Sequence, residues 1–206
     1  MPLTNNVLRP FLKACVVEAG CDEAGRGSLA GPVFAAAVIL PSNFTHPWLT
    51  DSKQLRERQR ELLRSIIENE ALAWAIGRAE VEEIDQLNVL QATFLAMHRA
   101  LDQLSIRPDH IIVDGNQFRP YQNIQHQCIV KGDCLYTAIA AASILAKTYR
   151  DAEMRRLAAQ FPAYDWAENK GYPTSTHRRA LRLYGPTPHH RRSFCLIPSS
   201  NQLHLF

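Results

Sequence analysis

The sequence predicts an α/β fold built on a mixed sheet, antiparallel in its first part and parallel in its later part. Three observations carry this. Apolar runs of strand length fill much of residues 14–40 and are broken by Gly and Pro. Leu90, Phe94, Met97 and Leu101 recur at helical spacing and read as a core stripe. Beyond residue 105, short apolar runs give way to helical segments. At 206 residues and 23.3 kDa the chain can bury one good core, with a C-terminal appendage.

In order, residues 1–13 read as an irregular lead-in. Residues 14–22 form a first strand, on which Asp22 shares a face with Val16, Glu18 and Gly20, while Glu23 points the other way. Both carboxylates serve one site only if the strand ends or bends there, which Gly25 and Gly27 permit. A second strand over 32–40 stops at Pro41. Asp51 or Ser52 caps a helix over 54–68, with Leu55, Leu62, Leu63, Ile66 and Ile67 on its apolar side. A third strand over 71–78 puts Trp74 and Ile76 on one face. A short helical turn over 81–85 precedes the helix over 88–104.

The loop containing Pro108 leads into a buried strand over 110–114, stopped by Gly115, and a further strand over 124–130. An alanine-rich helix over 135–161 follows, its Ala138, Ala140, Ala141 and Ala142 allowing close approach to a sheet. Gly171 to Thr174 is a turn, and a basic helix over 175–183 ends at Gly185-Pro186. The chain divides into the lead-in 1–13, a main α/β domain 14–160 and a helical, basic segment 161–206.

Composition narrows the function classes. Five cysteines in no C-x-x-C pair, behind an N-terminus broken by Arg9, Pro10 and Lys13, predict free thiols in the cytoplasm. The longest uncharged apolar stretch is shorter than the roughly 20 residues of a membrane span. The net charge is +3, yet six cations and no acid follow Glu168, so the rest of the chain is net −3. That layout suits a body whose acids hold metal and a tail that meets a polyanion; a solubilising tail explains the charge equally well. His189-His190 reads as part of this solvated basic stretch rather than as a zinc site.

Four acids occupy one kind of position. Asp22 ends a strand, Glu23 opens its loop, Asp114 ends another strand, and Asp133 stands just before a helix. The ends of parallel strands converge on one edge, and carboxylates gathered there repel one another unless cations neutralise them. Two cations roughly 4 Å apart can activate a water and stabilise the leaving oxygen of a phosphodiester. Each acid also has a plain reading: an Asp-Glu pair before a Gly-rich turn is commonly solvated, Asp114 suits a turn, and Asp133 suits an N-cap.

Taken together, Asp-Glu-Ala-Gly-Arg-Gly at 22–27, Asp-Ser-Lys at 51–53, Val-Asp-Gly at 113–115, Lys-Gly-Asp at 131–133, Ala-Ala-Ser-Ile-Leu-Ala-Lys at 141–147 and Gly-Tyr-Pro-Thr at 171–174 resemble the bacterial type 2 ribonucleases H, RNase HII. The resemblance covers about residues 14–194. It implies a ribonuclease H-like mixed five-stranded sheet flanked by helices, with a C-terminal helical extension. The implied activity is cleavage of the RNA strand of RNA–DNA hybrids and nicking 5′ of single ribonucleotides in duplex DNA, leaving 5′-phosphate and 3′-hydroxyl ends. The family's carboxylates fall on Asp22, Glu23, Asp114 and Asp133, holding Mn²⁺ or Mg²⁺, two ions during catalysis. Its 2′-hydroxyl reader falls on Gly25, Arg26 and Gly27, its deoxyribose-packing tyrosine on Tyr172, and a phosphate-side lysine on Lys53. A monomer acting on hybrid and on ribonucleotide-containing duplex is implied. Glu18 departs from the expected pattern by placing a charge in strand one.

The residues themselves agree, since main chain exposed at Gly25 and Gly27 can reach a 2′-hydroxyl, the group that distinguishes RNA from DNA. Two alternatives stay open at this level: another nuclease of the same fold, which needs no ribose reader, and a non-catalytic nucleic-acid binder with a structural cation. For Tyr172 the alternative is a ring packed beneath its turn.

Overall fold

The computed structural model of the chain describes residues 8–49 and 55–198. Five strands, β1 (Glu18–Ala24), β2 (Val33–Ile39), β3 (Ala73–Ala79), β4 (His110–Asp114) and β5 (Gln125–Ile129), form one sheet in the order β3-β2-β1-β4-β5. β1 and β2, and β2 and β3, pair antiparallel, whereas β1 and β4, and β4 and β5, pair parallel. The expected mixed sheet is therefore present, with β1 at its centre.

Both faces of β2 are covered, which is why all seven of its residues are apolar and buried without alternation. Helix α3 (Val89–Asp102) packs Ala92, Ala96, Met97 and Ala100 against Ala19, Cys21, Ala35 and Ala37. On the opposite face α4 (Thr137–Gln160) brings Ala140, Ala141, Ile144 and Leu145 against Ala36 and Val38, with Leu63 and Ile67 of α1 (Glu57–Glu70) beside them. The small residues let α4 lie close to the sheet. A Cβ on Gly20 would stand 2.3 Å from the carbonyl carbon of Ala138.

The first strand begins at Glu18, four residues later than its apolar run suggests, and continues through Glu23 to Ala24. The main-chain N–H of Val17 goes to the Asp109 carboxylate at 3.0 Å, and Cys15 takes a positive φ of 62°. The unexpected Glu18 is buried and fully engaged. Its carboxylate accepts the N–H groups of Leu12 at 2.8 Å and Lys13 at 3.1 Å, and Nδ1 of His110 at 2.9 Å. It ties the lead-in to the sheet.

Helix α1 starts at Glu57, behind Arg56, whose N–H is accepted by Gln59 Oε1 at 2.9 Å. The expected cap residues Asp51 and Ser52, and Lys53, lie outside the described residues. α2 (Val81–Leu87) and α3 meet at Asn88, whose side chain accepts the N–H groups of Leu90 and Gln91. Before α4, Gly132–Cys134 forms one turn of 3-10 helix, and Tyr136 is the α4 N-cap. Asp133 is thus not the cap of that helix.

After α4 the chain adds α5 (Trp166–Asn169), unexpected from the sequence, and α6 (Ser175–Tyr184). A separate core of Leu29, Met154, Leu157, Tyr164, Trp166 and Leu181 joins them to the loop after β1. Main-chain bonds complete the seam: Leu29 N–H to Gly171 O at 2.8 Å, Gly31 N–H to His189 O at 2.9 Å, and Arg191 N–H to Leu29 O at 2.9 Å. Two residues read as solvated basic tail are therefore interior: His190 and Arg191 are buried. No helix among the described residues is long and apolar enough to cross a membrane.

Candidate active site

Parallel pairing sets Cys21 of β1 opposite Val113 of β4, so Asp22 and Asp114 follow side by side at the ends of their pairing. Asp22, with Gly20, looks toward α4, and Glu23, with Cys21, looks toward α3. The opposed directions expected from strand geometry are real. The two carboxylates still meet, because a cleft of about 460 Å³ opens at the strand ends and is lined by Asp22, Glu23 and Asp114 together.

The three acids are held differently. Asp22 is buried, its Oδ1 accepting the Glu23 N–H at 2.7 Å, and it is also bonded to the Ser143 side chain. Burial, followed by the neighbouring charges of Glu23 and Asp114, pushes the Asp22 carboxyl well above the usual carboxylate range. Glu23 pairs with Arg26 at 3.1 Å. Asp114 Oδ1 accepts the Gly132 N–H at 2.7 Å. Asp133 follows Gly132 directly and is buried in its 3-10 turn, beside the cleft but not on its lining. Among the described residues no three His, Cys, Asp or Glu side chains form a ready cage for an ion. The donor set nonetheless fits a hard divalent cation: the groups are carboxylate oxygens, and their crowding disfavours the charged state that a cation would restore.

The wall opposite the acids is the loop after β1 and the turn at Tyr172. Gly25 has φ of +99°, and a Cβ there would stand 1.9 Å from Arg150 Nε. Both the backbone and the neighbour require glycine. Gly27 is different. A Cβ there would meet only Tyr172 Cε1, at 3.9 Å, an ordinary contact distance, so no neighbour requires glycine at 27. Tyr172 is 36% exposed and lines the cleft. Arg26 is exposed.

Two buried arginines fix this wall, and sequence reasoning missed both as site residues. Arg150 donates from Nη2 to Ser28 Oγ at 2.8 Å and from Nε to Pro32 O at 3.2 Å, with its guanidinium carbon 5.4 Å from the Tyr172 ring centroid. Arg191 donates from Nε and Nη2 to Gly31 O and from Nη1 to Arg26 O. Ser143 and Lys147 were also missed, and both line the cleft. The available signal was spacing. Ser143, Lys147 and Arg150 stand at i, i+4 and i+7, one polar stripe on an alanine-rich helix.

The sequence matches the family model described as Ribonuclease HII over residues 19–197. The chain belongs to the ribonuclease HII family. The ribonuclease HII of Parabacteroides distasonis is 59% identical over 192 residues, 93% of this chain and 96% of that protein. The ribonuclease H2 of Pyrococcus horikoshii superposes with a TM-score of 0.71 at 27% identity, covering 87% of this chain and 94% of the other. Bst-RNase HIII, solved in complex with Mn²⁺, shares the fold at a TM-score of 0.62 and 20% identity, over 82% of this chain and 63% of its own. As a ribonuclease HII, the chain is a nuclease, an endoribonuclease of RNA–DNA hybrids.

Proposed function

We propose that this ribonuclease HII also nicks duplex DNA on the 5′ side of a single embedded ribonucleotide, leaving 5′-phosphate and 3′-hydroxyl ends. The observation that supports the reading is that Gly25, Arg26, Gly27 and Tyr172 line the same cleft as Asp22, Glu23 and Asp114. A ribose placed there has main chain at Gly25–Gly27 within reach of its 2′-hydroxyl, and the next sugar has an aromatic face to lie on. The pairing of a hydroxyl reader with an apolar ring favours an RNA-to-DNA junction over a uniform strand.

Asp22, Glu23, Asp114 and Asp133 are the residues that would hold divalent cations, Mg²⁺ or Mn²⁺. When bound, such ions supply an activated water and charge stabilisation for the leaving oxygen. Ser143 orients Asp22, and the Gly132 N–H orients Asp114. Lys147 brings a positive charge to the cleft while bonded to Asp151 at 2.6 Å. Arg26 faces the substrate from the loop, and Lys53 stands as a phosphate contact on the resemblance alone. Glu23, paired with Arg26 at 3.1 Å, would add a second carboxylate beside Asp22 for such an ion.

The test is Asp114→Asn, which removes one anionic ligand at nearly constant volume. Folding and hybrid binding should persist while cleavage is lost. Near-normal cleavage of a hybrid by the pure variant with Mg²⁺ or Mn²⁺ would overturn the assignment.

A further inference from the structure

Behind the Tyr172 turn lies a buried chain of polar contacts that the cleavage chemistry does not use. His177 Nδ1 stands 2.9 Å from the Tyr172 carbonyl oxygen, an acceptor, so Nδ1 carries the proton. His177 Nε2 receives the indole N–H of Trp166 at 3.0 Å, so it is bare. His190 Nδ1 accepts the Thr187 N–H at 2.9 Å, leaving its own proton on Nε2, which is 3.0 Å from His177 Nε2. Every proton is thereby assigned: both imidazoles are neutral, and His190 and Trp166 share the one lone pair of His177. The Tyr172 carbonyl also takes the Thr174 N–H at 2.8 Å.

We propose that His177 is a positioning residue for substrate discrimination, setting the Tyr172 ring against the Gly27 side of the cleft through the Tyr172 main-chain carbonyl. His177 has no exposed surface and cannot touch nucleic acid. Its only route to the substrate is the turn it holds. His190 lies in the segment that bridges to Ala30, so the pair couples the tyrosine turn to the loop carrying Gly25, Arg26 and Gly27. The two halves of the junction reader thus share one buried hydrogen-bond chain. The inference rests on Tyr172 reading the sugar, as proposed above.

Two isosteric substitutions separate the ends of the chain. An Asn amide nitrogen can stand in for Nδ1–H, and a Gln amide oxygen can stand in for the Nε2 lone pair. His177→Asn therefore keeps the bond to Tyr172, and His177→Gln keeps the acceptor for Trp166 and His190. The readout is the ratio of kcat/KM on a single-ribonucleotide duplex to kcat/KM on a long hybrid. For His177→Gln the ratio should fall about tenfold, the scale of one lost hydrogen bond, and for His177→Asn it should stay near the wild-type value. Tyr172→Ala is run alongside. A lowered ratio for Tyr172→Ala with an unchanged ratio for His177→Gln overturns this inference alone. An unchanged ratio for both overturns it together with the sugar-reading role of Tyr172. Equal falls for the Asn and Gln variants mean a merely structural histidine. Should either variant fail to fold, ¹⁵N spectra of the wild-type imidazoles decide: a proton on His177 Nδ1 supports the chain as drawn, and one on Nε2 contradicts it.

Discussion

Arg191 donates Nη1–H to the main-chain carbonyl of Arg26 at 2.9 Å, across 165 residues of chain. The exposed arginine of the reading loop is held in place by a buried arginine of the C-terminal segment. Arg191→Ala should lower unfolding free energy by about 3 kcal/mol, because it leaves buried carbonyls unpaired and opens a cavity. Arg191→Lys should recover little, since an ammonium cannot reproduce the guanidinium fork. Urea unfolding of the three proteins measures this, and a loss below about 1 kcal/mol for Arg191→Ala would contradict the bracing role.

Arg179 and Arg182 of α6 are exposed, unlike Arg191. If they meet phosphates, neutralising one should weaken binding to every duplex and reduce the salt slope by about 1. Binding of a cleavage-silent protein at several salt concentrations tests it. Unchanged slopes for both single variants would mean that this face of α6 looks into solvent.

Gly25 and Gly27 should behave oppositely. Gly25→Ala places a Cβ at φ of +99° against Arg150, and should cost about 2–4 kcal/mol of stability. Gly27→Ala meets only Tyr172 Cε1 and should stay within about 0.5 kcal/mol of wild type. Its kcat/KM should nevertheless drop at least about tenfold, because the methyl keeps a sugar from approaching the main chain at 27. Thermal melts and steady-state kinetics on one hybrid suffice, and full activity in Gly27→Ala would mean that the sugar does not approach the main chain at 27.

Asp22 carries an apparent conflict between stability and function. Its folded carboxyl has a pKa raised above the ordinary 3.8, first by burial and then by Glu23 and Asp114. A raised carboxyl pKa costs the fold stability above pH 4 and none well below it. Asp22→Asn should therefore raise Tm at pH 7 in EDTA, with the gain vanishing near pH 3, while activity disappears. A lower Tm for the variant at pH 7 would show that the carboxylate is stabilised without a cation.

His190 has the opposite sense. Burial, then the neighbouring His177, depress its pKa from 6.5 to about 4. Its contribution is complete above pH 6.5, is lost as pH falls toward 4, and is flat below. About 3 kcal/mol of stability should go over that window. His190→Gln should flatten the dependence, and an equal slope in wild type and variant would place the titration elsewhere.

Much of the fold was legible because local pattern and tertiary role agree. The run Ile111-Ile112-Val113 between His110 and Asp114-Gly115 is β4 as read, since a buried parallel strand needs no alternation. Val16 and Val17 look like strand in the sequence, yet β1 begins at Glu18, with the Val17 N–H taken by the distant Asp109 carboxylate. Asp22, Glu23 and Asp114 could be grouped from their places at strand ends. The burial of Arg150 and Arg191 could not, because it depends on loop carbonyls more than a hundred residues away. Charge in a sequence reads as solvent unless its distant partners are known.

The most direct test uses one duplex in which a single ribonucleotide is embedded in DNA, incubated with the chain with and without Mn²⁺ or Mg²⁺. One nick 5′ of the ribonucleotide, with 5′-phosphate and 3′-hydroxyl ends, is expected only when the cation is present and not in an all-DNA duplex. No nick on that substrate under conditions where a long RNA–DNA hybrid is cut, or equal cutting of the all-DNA duplex, would contradict the reading of Gly25, Arg26, Gly27 and Tyr172 as a junction reader.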